Sequence, residues 1–152
     1  MAYEGWWCYT DGSWKDTYLL TGLGWYFFKE DATERIMGTQ NVRRSLTPLH
    51  AEIEALIWAM HCMLENQKME VAFATDCSEL VKMVSTPEEW PAFDLHLEEI
   101  RKMKDKFSFF LISHIPRAKN SKADNLARSA RVYPQDVIYV NSVLPVWIAK
   151  PF

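Results

Sequence analysis

The chain has no long apolar run. Its longest candidates, residues 56–60 and 107–113, fall far short of the roughly 20 residues that a membrane span needs. No basic stretch followed by an apolar one opens the sequence, so no secretory signal is expected. Cysteine is scarce: Cys8, Cys62 and Cys77 are odd in number and lack metal-ligand spacing. They read as reduced, mostly buried thiols of an intracellular protein, nuclear or cytoplasmic, rather than as a disulfide framework or a zinc site. Positive charge is not in excess either. With 17 Lys and Arg against 20 Asp and Glu the net charge is −3, which argues against a conventional basic nucleic-acid binder. Internal repeats, linkers and low-complexity segments are also missing.

What is there suits one folded domain: 152 residues, 49% hydrophobic and 24% charged, enough to bury a single core. The charges are unevenly placed. Residues 113–132 carry Arg117, Lys119, Lys122, Arg128 and Arg131 against only Asp124, and Arg43 with Arg44 forms a second basic pair. Acidic residues gather elsewhere, as at Glu88, Glu89, Asp94, Glu98 and Glu99.

The hydrophobic pattern changes period along the chain. Residues 3–10, 22–28 and 36–43 are aromatic-rich or alternating and read as strands. Their short connections make an antiparallel meander. From Leu49 the period becomes helical, with Ile53, Leu56, Ile57, Met60, Met63 and Leu64 on one face. Thr47 followed by Pro48 is a good N-cap with proline at the first helical position. A short buried strand at 71–75, a brief helix at 77–84 and a helix at 93–106 follow. A strand at 107–115 and a helix at 121–131 complete the order β-β-β-α-β-α-α-β-α. The expected fold is α/β: a five-stranded mixed sheet, three antiparallel strands then parallel ones, flanked by helices. The domain should span residues 1–131, with 132–152 an extended tail.

Four acids stand where chemistry could be done, although each has an ordinary explanation. Asp11, in Thr10-Asp11-Gly12-Ser13, follows the first predicted strand and reads equally as an Asp-Gly turn. Glu52 flanks the apolar stripe of the long helix, as a solvated carboxylate would. Asp76 opens Asp76-Cys77-Ser78-Glu79, a fair capping box. Asp124 lies in the first turn of the last helix, where it complements the helix dipole. Taken jointly, two acids at carboxyl ends of strands and two on helices against the same sheet suggest one site at the sheet edge where ligands bind. Carboxylates brought together repel unless a hard divalent cation, Mg²⁺ or Mn²⁺, sits between them.

Four segments also resemble the signature blocks of type 1 ribonuclease H, in the family's order. They are Tyr9-Thr10-Asp11-Gly12-Ser13, Leu49-His50-Ala51-Glu52-Ile53-Glu54-Ala55-Leu56, Ala74-Thr75-Asp76-Cys77, and Asn120-Ser121-Lys122-Ala123-Asp124-Asn125-Leu126-Ala127. The segment His114-Ile115-Pro116-Arg117-Ala118-Lys119-Asn120 resembles the archaeal-like subgroup, which also supplies the terminal domain of plant LINE-type retrotransposon polyproteins. The likeness spans about residues 3–131.

The resemblance implies a fold, an activity and a site. The fold is that of ribonuclease H, and the activity is endonucleolytic hydrolysis of the RNA strand of an RNA/DNA hybrid, leaving 5′-phosphate and 3′-hydroxyl ends. Asp11, Glu52, Asp76 and Asp124 would hold two ions of Mg²⁺ or Mn²⁺, with Asp11 bridging both. Glu52 is also placed to sense the ribose 2′-hydroxyl. Gly12, Ser13, Thr47, Ser78 and Asn120 become candidate nucleic-acid contacts. Arg117 is the first candidate for the helper role that a loop histidine fills in bacterial enzymes, with His114 the alternative. A monomer is implied, with no membrane partner, and a reverse transcriptase in the same polyprotein is a possible neighbour. Trp14 and Trp90 are candidates for stacking on nucleic acid. A basic protrusion is missing, since residues 85–92 are acidic and Pro-rich, so weaker and more salt-sensitive hybrid binding is expected. A silent nucleic-acid-binding module of the same fold is the alternative, against which the intact carboxylates stand. A 3′–5′ exonuclease of related fold would need Asp-x-Glu where this chain has Asp11-Gly12-Ser13.

Overall fold

The computed structural model describes residues 3–150 and Phe152. Six strands, β1 (Trp7–Ser13), β2 (Leu20–Phe28), β3 (Arg35–Arg43), β4 (Glu70–Thr75), β5 (Phe109–His114) and β6 (Ile138–Asn141), form one sheet in the order β5-β4-β1-β2-β3-β6. The helices are α1 (Pro48–Glu65), α2 (Ser78–Ser85), α3 (Asp94–Lys104) and α4 (Ser121–Val132). The first three strands pair antiparallel, while β4 pairs parallel with both β1 and β5. A parallel neighbour needs a crossover, and α1 supplies it between β3 and β4.

Alternation along the strands sorts side chains onto two faces. Cys8, Trp25 and Phe27 point into the larger core, where Ile53, Leu56 and Met60 of α1, Leu80 and Met83 of α2, and Leu97 and Ile100 of α3 meet them. Burying each large apolar side chain contributes roughly 1.5–3 kcal/mol, so this core holds α1 firmly against β1. On the other face Tyr26 and Met37 pack with Leu126 of α4. There Gly22 and Gly24 let the helix rest on the strand: a Cβ at Gly22 would lie 1.7 Å from Ala127 O. No helix is long and apolar enough to cross a membrane among the described residues.

Several boundaries differ from the sequence reading. The first strand runs on through Ser13, so Asp11 lies inside β1, paired with Gly24, and not in a turn after it. The pairing persists because Gly12 and Ser13 still find partners in Leu23 and Gly22. The expected fifth strand has a sixth companion. Residues of the tail form β6 and extend the sheet beyond β3, and Leu144, Ile148 and Phe152 pack against the smaller core. The Pro-rich stretch forms two 3₁₀ turns, Pro87–Glu89 and Pro91–Phe93, and α3 begins at Asp94. Thr47 caps α1 as expected, accepting from His50 N at 3.1 Å.

Candidate metal centre

β1 and β4 run side by side and parallel, so their carboxyl ends open on the same edge of the sheet. Asp11 comes from β1, and Asp76 follows the last residue of β4. α1 crosses beneath and brings Glu52 to them. The approach is close because residue 12 has no side chain: a Cβ there would lie 2.4 Å from Ala51 O. Gly12 N then donates to Glu52 Oε1 at 3.1 Å, fixing the carboxylate. The result is that Asp11, Glu52 and Asp76 each offer an oxygen within 4.8 Å of the others.

Asp124 reaches the same cavity from α4. The cavity holds about 350 Å³ and is lined by all four carboxylates together with Gly12, Ser13, Trp14, Arg117 and Arg128. Burial, then Glu52, Asp76 and Asp124 in turn, push the Asp11 carboxyl up to about 10. Burial also raises Glu52, to about 8, with Asp76 and Asp124 adding to the shift while the Gly12 amide and Arg117 oppose it. Two guanidiniums do not balance four carboxylates. An oxygen-only donor set built around the buried Asp11, which resists carrying its own charge, fits a hard divalent cation.

Asp76 is free to join this set because it is not the helix cap that the sequence suggested. Cys77 occupies the N-cap of α2 without a side-chain bond, and its N–H donates to Thr75 Oγ1 at 3.0 Å. Arg117 sits in the 3₁₀ turn Arg117–Lys119 and faces the cavity, whereas His114 ends β5, exposed, and does not line it. Gly12 and Ser13 line the cavity. Thr47 and Ser78 are exposed at the starts of α1 and α2. Asn120 has no exposed surface; its Nδ2 donates to Thr10 O at 3.0 Å, which suits positioning rather than substrate contact. Trp14 lines the cavity with Nε1 held by Ser45 O at 2.7 Å, but Trp90 packs on the core beside Phe93.

Sequence reasoning missed two arginines. Arg128 bonds Asp124 at 2.5 Å one helical turn away, and the i, i+4 spacing of an acid and a base was the available signal. Arg131 counts as surface charge in the sequence, yet it is buried, with Nε donating to Ser13 Oγ at 2.8 Å and its guanidinium 4.4 Å from the Tyr18 ring centroid. Nothing in a count of charges distinguishes it from its neighbours.

An antiparallel meander continued by parallel crossover strands, with carboxylates gathered at the ends of β1 and β4, defines the ribonuclease H class of α/β folds. A family model described as reverse transcriptase-like matches residues 9–130, and the chain belongs to that family. Ribonuclease H1 from the halophilic archaeon Halobacterium salinarum is similar at 25% identity and TM-score 0.71, covering 82% of this chain and 96% of that one. A ribonuclease H1 isolated from compost by a metagenomic approach, solved with an RNA/DNA hybrid, shares 24% identity at TM-score 0.70, covering 84% and 96% of the two chains. A foamy viral protease–reverse transcriptase, solved with double-stranded DNA, has the same fold at 20% identity and TM-score 0.60, covering 84% and 94%. Among curated proteins no match is found.

Proposed function

We propose that the protein is an endoribonuclease that hydrolyses the RNA strand of RNA/DNA hybrids. The observation that carries this reading is the meeting of Asp11, Glu52 and Asp76 within 4.8 Å, at the end of a ribonuclease H sheet, with Asp124 lining the same cavity. These four side chains would hold two ions of Mg²⁺ or Mn²⁺, which when bound activate water and stabilise charge on the scissile phosphate. Asp11, the most enclosed of the four, is the residue suited to serve both ions.

The chain's own residues complete the site. Glu52 is fixed by the Gly12 amide, so one of its oxygens is held while the other is available to a cation or to a ribose 2′-hydroxyl. Arg117 places a permanent positive charge at the cavity, where it both favours ionised Glu52 and attracts a phosphate. Arg128 steadies Asp124. Gly12 and Ser13 line the cavity, and Thr47 and Ser78, exposed at the starts of α1 and α2, are further candidates for contact with the nucleic acid. Hydrolysis in this arrangement leaves 5′-phosphate and 3′-hydroxyl ends. The protein would work as a monomer, and its family suits a place beside a reverse transcriptase in one polyprotein.

A labelled RNA/DNA hybrid incubated with Mg²⁺, Mn²⁺ or chelator tests the assignment, with duplex RNA and duplex DNA as controls. Metal-dependent internal cuts in the RNA strand are expected. An intact hybrid with either metal would leave the silent nucleic-acid-binding module as the better reading.

A further inference from the structure

Alternation places Trp7 and Tyr9 on the same face of β1 as Asp11, and their partners across the ladder are Phe28 and Tyr26 of β2. α4 covers this face at Gly22, Gly24 and Tyr26, where Leu126 packs, and the tail residues Leu144, Ile148 and Phe152 lie against the same end. Beyond this cover Tyr3, Trp7 and Tyr9 line an open cavity and form an aromatic floor. Tyr3 leans edge-on against Trp7 at 5.6 Å, Trp7 against Tyr9 at 6.0 Å, and Tyr9 against Phe28 at 4.9 Å. Trp7 Nε1 donates to Tyr3 O at 3.1 Å.

Two cavities of about 540 Å³ each lie along it and share Tyr9, Phe28, Glu30 and Lys119. They differ in how their rings are covered. At the β3 end the fold supplies its own cations: the Arg35 guanidinium lies 5.8 Å from the Phe28 centroid, and Lys122 Nζ lies 5.4 Å from that of Tyr26. Over Trp7 and Tyr9 no cation is placed among the described residues. Instead Glu4, Glu30 and Asp31 stand at the rim, with Lys119 the one base. Glu4 and Glu30 have no ion pair among the described residues, and Asp31 has only a loose one to Lys29 at 3.8 Å.

We propose that this groove docks an extended, arginine- or lysine-bearing segment of a partner protein. The neighbouring rings of Phe28 and Tyr26 already face cations of the fold, and aromatic faces attract them by their quadrupole. The carboxylates at the rim supply the matching charge and would repel a phosphate backbone. A nucleic acid is better served at the metal centre, where Arg117 and Arg128 stand. The seat is the cavity over Trp7 and Tyr9, since the adjoining one is lined by Arg35, Lys119 and Lys122 and its rings already face cations. An extended segment running along β1 would lay its basic side chains on Trp7 and Tyr9. The proposal is independent of the nuclease activity.

The test uses the full chain with excess Mg²⁺, so that the metal-centre carboxylates do not compete, and a blocked peptide alternating arginine and valine as the probe. Binding is followed by amide chemical shifts and titrated by calorimetry. Shifts confined to Trp7, Tyr9, Phe28 and the Lys29–Glu34 loop are expected, and a glutamate–valine peptide should not bind. Converting Glu30→Lys and Asp31→Lys together, at exposed positions that leave the fold intact by circular dichroism, should weaken the peptide about tenfold or more, with the loss greatest at low salt. Glu98→Lys, far from the groove, should change nothing. Shifts that map to the metal centre, unchanged affinity in the double variant, or preferential binding of oligothymidylate to the groove would each overturn the proposal.

Discussion

Asn120 and Thr10 are 110 residues apart in the chain, yet Asn120 Nδ2 donates to Thr10 O at 3.0 Å in the buried interior. Thr10 immediately precedes Asp11, and Asn120 immediately precedes α4, which carries Asp124. One side-chain amide therefore ties the strand bearing one carboxylate to the helix bearing another. Removing it should leave the Thr10 carbonyl unpaired at a cost of about 1–3 kcal/mol. Asn120→Ala is expected to lower the urea midpoint and to reduce kcat with little change in KM. A raised KM with kcat intact would instead make Asn120 a substrate contact.

Asp11→Asn should separate activity from stability. Loss of the most enclosed carboxylate removes several kcal/mol of cation-mediated stabilisation, about 10³-fold in rate. The same change should stabilise the metal-free protein. In the fold the Asp11 carboxyl is held near 10, against 3.8 in the open chain, so stability present at acid pH is lost as pH rises between those values. Asparagine carries no charge and escapes that loss. Thermal melts in chelator at neutral pH should show the variant melting about 2–4 °C higher for each kcal/mol recovered, and Mg²⁺ should stabilise wild type more than the variant.

Arg117 and His114 make opposite predictions. Arg117 lines the cavity and acts on Glu52, whereas His114 ends an edge strand away from it. Arg117→Ala should lower kcat/KM on a hybrid by roughly 10–100-fold, the scale of a lost charge-assisted contact of about 1.5–3 kcal/mol. His114→Ala should stay within about twofold of wild type. The reverse ranking in steady-state kinetics would return the helper role to the histidine.

Gly12→Ala is the smallest change that should disable the site. The added methyl would meet the Ala51 carbonyl at 2.4 Å, and backbone cannot step aside as a flexible side chain could. β1 and α1 must separate, stretching the Gly12 N–Glu52 bond. Overpacking of this kind costs about 1–3 kcal/mol. Denaturant unfolding should show that loss, and hybrid cleavage should fall further than stability does.

The parts of the fold written in local chemistry were readable in the sequence. Thr47-Pro48 announces α1, the period from Leu49 to Leu64 gives its buried face, and the aromatic alternation gives the meander. The four acids were recognisable as a set by their motifs and order. What was not readable depends on partners remote in sequence. Asp11-Gly12 looks like a turn until β2 is seen to offer Leu23 and Gly24 opposite it. Asp76 looks like a cap because Asp-x-x-Glu is the usual pattern, and only the Thr75–Cys77 bond shows otherwise. Arg131 is indistinguishable from a solvated base until the space between Ser13 and Tyr18 is known. β6 is short and prolines stand on either side of it, and its strand character comes from the free edge of β3.

The seat of α4 on β2 has a consequence for how this molecule can drift. Because no side chain separates Ala127 from Gly22 and Gly24, the height of the helix above the sheet at this crossing is set by main-chain thickness. Elsewhere in the interior, residues may be exchanged for larger or smaller ones and the elements will shift by fractions of an ångström. Here there is nothing to exchange. The fourth carboxylate rides on this gauge, and a side chain added at either glycine would lift it away from the other three.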